Sequence, residues 1–483
     1  MRSAVLFAAI FGLAVAAPPL RAGNIEGLEA LSSHLLSGGP GKDGIPAMTN
    51  PLFVGPPEVS YVAEEDLVLG VVVDGEARAY PENLGWWHEI INDRIGDRSI
   101  AVTLCPLTGT GLVFNATDQD GSQIEFGVSG LLINSNLVMY DRRDGNTLYP
   151  QMIYTGISGS YKDQQLELLP VVETTWAMWR RMYPDTRVAQ FGTGLDRYTE
   201  RQRSNYGSVG LYLTYPYGAY RTDHGDLFLF ADATATPDLS VLRAKEVVLG
   251  VCLEGRAKAY PFRDLPDGAV VNDLVGSTPL VVIFDRASQT AIPYSRALAG
   301  QTLSFYAVDP EGTMPVEFRD VETGSRWNML GEAIAGPLEG QRLEQLPAYN
   351  SMWFAWDTYR RGTEIWAGEG VIDAPPTTAV EEAGSVPVPT RFSLDQNYPN
   401  PFNPTTQIEY DLPARGLVRL AVYTVLGQQV RTLVDSAREA GRYQQAWDGL
   451  DGDGNPVASG TYLYRLEMPE LGLSQTRSLT LLR

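Results

Sequence analysis

Histidine, cysteine and lysine are the scarce residues of this 483-residue chain: three His, two Cys, and only four Lys (Lys42, Lys162, Lys245, Lys258) among 37 basic residues. Three histidines (His34, His88, His224) exclude a dense histidine metal cluster. Two cysteines exclude a disulfide-stapled scaffold and a Cys-rich zinc ribbon. Positive charge is also short. The 58 Asp and Glu leave a net charge of −21 and a pI near 4.6, which argues against nucleic acid and anionic membranes as partners. Beyond the N-terminal region no segment reaches 18 consecutive apolar residues, so no transmembrane span is expected in the mature chain. The Arg-rich, Lys-poor acidity fits a saline habitat or GC-rich codon usage equally well. What remains is ordinary globular material, 44% hydrophobic and 20% charged, enough for roughly three domains at about 150 residues each.

The ends carry delivery features. Arg2 precedes an apolar run, Ala4 to Ala17, and then small residues with cuts expected near Ala17 or Ala22. This is the pattern of a secretory signal peptide, residues 1–22. Residues 372–391 hold four prolines, three threonines and no aromatic, and read as a linker. Beyond it, 408–412, 418–423 and 462–466 alternate apolar and polar residues between turn signals. This predicts a β-sandwich of short strands. The Asp/Gly stretch 448–455 reads as a hairpin turn, since the closing Glu of a calcium loop is missing.

Within this tail, Tyr398-Pro399-Asn400-Pro401-Phe402-Asn403-Pro404, Val422-Tyr423-Thr424-Val425-Leu426-Gly427, Trp447-Asp448-Gly449 and Ala458-Ser459-Gly460-Thr461-Tyr462 occur as separated motifs. Residues 392–483 resemble the C-terminal sorting domain of the type IX secretion system, an immunoglobulin-like fold related to the flagellar hook-capping domain. The resemblance implies a two-membrane bacterium, type IX-like machinery as partner, and a secreted or cell-surface destination. The final segment has fewer basic residues than such tails often carry.

An internal repeat dominates residues 61–371. Val68 to Pro81 recurs as Val248 to Pro261 at an offset of 180, with nine of 14 positions identical. Asn92-Asp93 aligns with Asn272-Asp273, and Pro170, Trp176 and Trp179 align with Pro347, Trp353 and Trp356. The cargo is thus expected to be two copies of one module, 24–236 with a connector and 237–371. Each copy reads as mainly β, a small barrel or sandwich opened by a hairpin at Asp74-Gly75 or Glu254-Gly255 and covered by a helix over 174–182 or its counterpart. The tryptophans at spacing three read as core, and Asn92-Asp93 as a turn.

Both copies must satisfy the same fold, so reactive residues confined to one copy point to function. His88 stands opposite Gly268, and Cys105 opposite Asp285. Three readings follow. The first is a mononuclear copper or zinc centre held by Cys105 and His88 and completed by His224 or Asp141. The second is a cysteine nucleophile with His88 as base, oriented by Asn134 or Asn92, with Asn134 and Ser135 near the substrate. The third is a non-catalytic surface binding module built on aromatics such as Trp86-Trp87 and Tyr212, Tyr215, Tyr217 and Tyr220. A buried structural thiol, a Cys105–Cys252 disulfide and a core role for Cys252 are the plainer alternatives.

Trp87-His88-Glu89-Ile90, Cys105-Pro106-Leu107-Thr108-Gly109-Thr110, Phe126-Gly127-Val128-Ser129-Gly130-Leu131 and Pro216-Tyr217-Gly218 give residues 40–371 a resemblance to the bacterial domain of unknown function 3179 family. The resemblance implies no activity. Many members carry a second Cys at the position of Thr108, which leaves a Cys-x-x-Cys redox pair without its partner in this chain.

Overall fold

The computed structural model describes residues 32–221, 237–372 and, apart from 398–399, 401, 404, 426, 439 and 453–454, residues 392–482. The signal peptide, His224 and nearly all of the 372–391 linker lie outside the described residues. The chain divides into two compact units, Met1–Pro376 and Thr377–Arg483. No helix among the described residues is long and apolar enough to cross a membrane.

The first unit repeats one strand plan. In the first copy the strands run Val172–Thr175, Leu67–Val73, Glu76–Pro81, Arg187–Ala189, with Phe53–Val54 at the edge. In the second they run Ala348–Met352, Val247–Leu253, Arg256–Pro261, Glu364–Ile365. The fourth strand is parallel to the third in both. Each central hairpin turns through two residues with positive φ, Asp74 and Gly75 at 51° and 85°, Glu254 and Gly255 at 50° and 77°. These are the signs a type I′ turn requires. A meander follows in each copy, Ile90–Ile95, Arg98–Cys105, Thr110–Asn115 and Val270–Val275, Thr278–Asp285, Thr290–Ser295. A third sheet is built on Phe126–Ile133 and Asn136–Asp141 or on Phe305–Val308 and Glu317–Asp320. The unit is mainly β, as the sequence predicts. Among the described residues its sheets stay open, so the barrel alternative gives way to stacked open sheets.

Two local expectations change. The helix begins at Trp176, because Thr174 and Thr175 finish a strand and Thr175 Oγ1 caps the helix by accepting from the Met178 amide. Asn92-Asp93 is no turn. It lies inside Ile90–Ile95, where Asn92 Nδ2 donates to Phe126 O at 2.9 Å and Asn92 Oδ1 accepts from Phe126 N at 2.8 Å. Asn272 makes the same pair of bonds with Phe305, both at 2.7 Å. The side chain imitates a backbone edge and joins the second sheet to the third. Asp93 in turn accepts from Tyr80 Oη at 2.6 Å, as Asp273 does from Tyr260 Oη at 2.8 Å.

The copies are joined reciprocally. The helix Trp353–Tyr359 packs into a core with Phe126, Tyr149 and Cys105 of the first copy. The helix Trp176–Met182 packs into a core with Phe305, Phe318 and Trp327 of the second. Met352 N donates to Thr108 O at 2.9 Å, and Thr175 N to Ser288 O at 3.2 Å. These four residues are equivalent in pairs, as in an isologous contact across a twofold axis. The repeated tryptophans are core: Trp179 and Trp356 are fully buried.

The second unit has two antiparallel sheets. One holds Ser393–Leu394, Thr406–Leu412 and Gly441–Trp447; the other holds Gln429–Arg438, Gly416–Thr424, Gly460–Met468 and Leu473–Leu481. Trp447, Tyr464 and Leu466 lie in the core between them. The three strands expected from its sequence are present.

Candidate functional site

His88 ends a short helix, Glu82–His88, that sequence periodicity does not reveal, because seven residues between Pro81 and a strand give little helical period. The ring is fully buried. Its Nδ1 lies 2.7 Å from Pro46 O and its Nε2 2.8 Å from Tyr212 Oη. Burial lowers its pKa to about 4, so the imidazole is neutral at ordinary pH, with Nδ1–H donating to the carbonyl and Nε2 against the Tyr212 hydroxyl, which also donates to Tyr206 O at 2.9 Å.

Cys105 closes the strand Arg98–Cys105 and is 1% exposed. Its thiol donates to Ser135 O at 3.5 Å. Burial pushes the thiol up to about 11, and neighbouring Glu89 adds to the shift, outweighing hydrogen bonds from Thr108 and the Leu137 amide that favour a thiolate. Tyr215 and Tyr220 donate to the carbonyls of Pro106 and Leu107, at 2.8 and 3.0 Å, and roof the loop. In the second copy Asp285 occupies the equivalent turn and accepts from Ser288 N at 2.9 Å. Cys105 thus replaces a turn-capping residue.

Among the described residues, the expected site residues are each engaged with other partners. Neither His88 nitrogen is offered to Cys105, and the thiol is held protonated, so the nucleophile–base pair is not formed. Asp141 is fully buried and tied to Arg143, with Oδ2 2.6 Å from Arg143 Nη2. No group of three or more His, Cys, Asp or Glu among the described residues is arranged to hold a metal ion. The His88 and Asp141 donors are engaged within the fold, and His224, the other expected ligand, lies outside the described residues. Asn134 and Ser135, with φ of 46° and 66°, form the two-residue turn between Phe126–Ile133 and Asn136–Asp141, which brings Ser135 O to the thiol. Cys105 and Cys252 are both free thiols, and Cys252 Sγ accepts from Arg360 Nε at 3.1 Å.

A different site lies between the copies. A cleft of about 320 Å³ is lined by Glu82, Trp86 and Glu173 of the first copy and by Val247, Phe262 and Asn350 of the second, with Arg221 and Lys245 beside them. Glu82 and Phe262 are equivalent by the 180-residue offset, and Glu173 and Asn350 by the 177-residue offset that joins Pro170 to Pro347. Arg221 Nη1 lies 2.5 Å from Glu82 Oε2. Glu82 Oε1, Glu173 Oε2 and Trp86 Nε1 are buried without a hydrogen-bond partner. Burial and the Glu82 charge hold the Glu173 carboxyl well above the usual carboxylate range. Comparison of the two copies, extended from Cys105 and His88 to every charged position, is the sequence signal that finds both glutamates.

The family model described as Protein of unknown function (DUF3179) matches residues 42–363, and the FlgD Ig-like domain model matches residues 404–469. No curated protein matches the chain. Among solved structures, FlgD from P. aeruginosa is 27% identical over 16% of this chain and 59% of its own, with a TM-score of 0.14. FlgD from Xanthomonas campestris is 24% identical over 17% of this chain and 58% of its own, also at 0.14. Dimeric latent PorU from Porphyromonas gingivalis is 10% identical over 80% of this chain and 31% of its own, at 0.17. The chain thus spans under two thirds of each of these proteins, and the scores are too low to establish a shared fold over the whole chain. The immunoglobulin-like identity of the tail rests on the family model and its two sheets. By the long match over residues 42–363, the chain belongs to the DUF3179 family of proteins of unknown function, with a FlgD-like immunoglobulin domain at its C-terminal side.

Proposed function

We propose that this is an exported protein displayed on or released from the surface of a two-membrane bacterium. In this reading residues 1–22 are the export signal, residues 392–483 engage type IX-like secretion machinery, and the duplicated unit is the cargo. The separated motifs of the tail and its immunoglobulin-like domain support the delivery reading. The cargo acts as a binding module whose ligand enters the cleft between its two copies. The observation that carries this second part is the set of partnerless buried polar atoms on Glu82, Glu173 and Trp86 in that cleft. Cys105 and His88, by contrast, have their hydrogen bonds satisfied within the fold.

Delivery is tested in a type IX-competent host with the full chain and with a chain ending at Thr390. The full chain should be digested by protease added to intact cells, and the shortened chain should be protected in the periplasm. Equal exposure of both would reject the sorting role. Binding is tested by a thermal-shift screen of small polar compounds on the full chain beside Val247→Trp, which fills the cleft. Compounds that raise Tm only when the cleft is open support the reading, and hits that survive the Trp reject it.

A further inference from the structure

The two walls of the cleft differ in chemistry. The first copy contributes two buried carboxylate oxygens without partners, Glu82 Oε1 and Glu173 Oε2. The second contributes an apolar patch, Val247, Phe262 and Met352, beside the polar Gln289 and Asn350. Glu82 itself is 2% exposed. A buried carboxylate oxygen left without a donor carries a desolvation cost that a ligand can recover. The charged groups facing this wall are Glu65, Asp66, Arg221 and Lys245. Arg221 serves the other Glu82 oxygen, Asn350 bonds the Glu173 carboxyl, and Lys245 lies 4.1 Å over the Tyr220 ring. Both carboxylates line the same cleft, and the Glu82 charge acts on Glu173. A positive group with several donors satisfies two acceptors at once, and a primary ammonium has three N–H bonds. The volume and the patch of Val247, Phe262 and Met352 suit a ligand with a carbon body rather than a bare ion.

We propose that the cleft binds a small molecule bearing a primary ammonium group, the cation held between Glu82 and Glu173 and its body against Phe262 and Met352. This rests on the reading of the cleft as the binding site. Trp86 Nε1 is then placed to donate to an oxygen of the ligand, which would favour an amino sugar or amino alcohol over a plain amine. Glu173 must ionise to serve the cation, so binding near neutral pH releases a proton and tightens as the pH rises toward the range where the ligand amine itself deprotonates.

The test is calorimetric titration of the full chain with glucosamine, 2-phenylethylamine and putrescine, beside glucose and 2-phenylethanol as uncharged counterparts, at about pH 6 and about pH 9. At least one amine should bind, its uncharged counterpart about tenfold or more weakly, with heats near neutrality that depend on the buffer because a proton leaves. Glu173→Gln and Glu82→Gln should each weaken the amine about tenfold while far-UV dichroism stays unchanged. Glucosamine binding best identifies an amino sugar, and 2-phenylethylamine binding best an aromatic amine. An uncharged compound binding as well as its amine, or Glu173→Gln binding the amine unchanged, overturns the ammonium assignment; loss of that binding in Val247→Trp would still leave the cleft as the binding site. Binding of none of the amines, or displacement of an amine by calcium at equal concentration, overturns the proposal as well.

Discussion

Glu89 is held in a strained backbone conformation. It ends the Glu82–His88 helix with φ of 57°, a conformation that favours glycine or asparagine. It is 7% exposed, and burial pushes its carboxyl from 4.5 up to about 7. The fold therefore keeps a proton that the unfolded chain gives up, and the stability held below pH 4.5 is lost as the pH rises to 7. Glu89→Gln should raise stability by up to about 3 kcal/mol above neutrality and by almost nothing in acid, read as urea midpoints across pH. His88 slopes the other way. Its folded pKa of about 4 lies below the ordinary 6.5, so its contribution is whole above 6.5 and is lost as the pH falls toward 4. Proton NMR of the ring should show the neutral form persisting below pH 5. Cys105 should resist iodoacetamide in the folded protein and react on unfolding; rapid alkylation of the native thiol would show that it is neither buried nor held protonated. The sequence nominates Cys105 and His88, but not their partners. Tyr212 lies 124 residues from His88 and Ser135 lies 30 from Cys105, and only the folded sheets bring them together.

At the scale of elements, the twin sockets of the repeat are legible in the sequence. Gly70 and Gly250 sit in the repeated Val-Leu-Gly-Val strands, and the repeated tryptophans carry the spacing of core residues. The structure adds that each glycine lies directly under a ring, Trp179 or Trp356, where a Cβ would land inside the indole. Gly70→Ala should cost about 1–3 kcal/mol or more, and Trp179→Leu in the same chain should recover part of it by making room, a coupling that a double-mutant cycle measures. Asn92 is not legible in this way. Asn-Asp is a frequent turn pair, and the residue's true role depends on Phe126, 34 residues on. Asn92→Leu should cost roughly 2–4 kcal/mol by stranding a buried amide and carbonyl, and Asn272→Leu should cost about the same in the second copy. The hairpins at Asp74-Gly75 and Glu254-Gly255 follow from the sequence directly, since their chemistry is local.

At the scale of the whole molecule, duplication is visible in the sequence, whereas the crossing of the two cores is not, because identity between copies says nothing of which helix covers which sheet. The first copy depends on the second for several bonds: Thr108 O is served by Met352 N, Ile133 O by Tyr359 Oη at 2.6 Å, and Met152 O by Arg360 Nη2 at 2.6 Å. Residues 24–236 produced alone should therefore aggregate or stay unfolded, and production together with 237–371 should restore a soluble complex, followed by gel filtration and circular dichroism. The reciprocal bonds Met352 N to Thr108 O and Thr175 N to Ser288 O have a consequence for symmetry. Such an interface is what two identical subunits make, so within one chain the two copies meet as the halves of a homodimer do. A homodimer must place the same residue on both sides of its axis; a fused pair need not. Phe262 opposite Glu82 and Asn350 opposite Glu173 are differences that freedom allows, and they give the cleft two unlike ends.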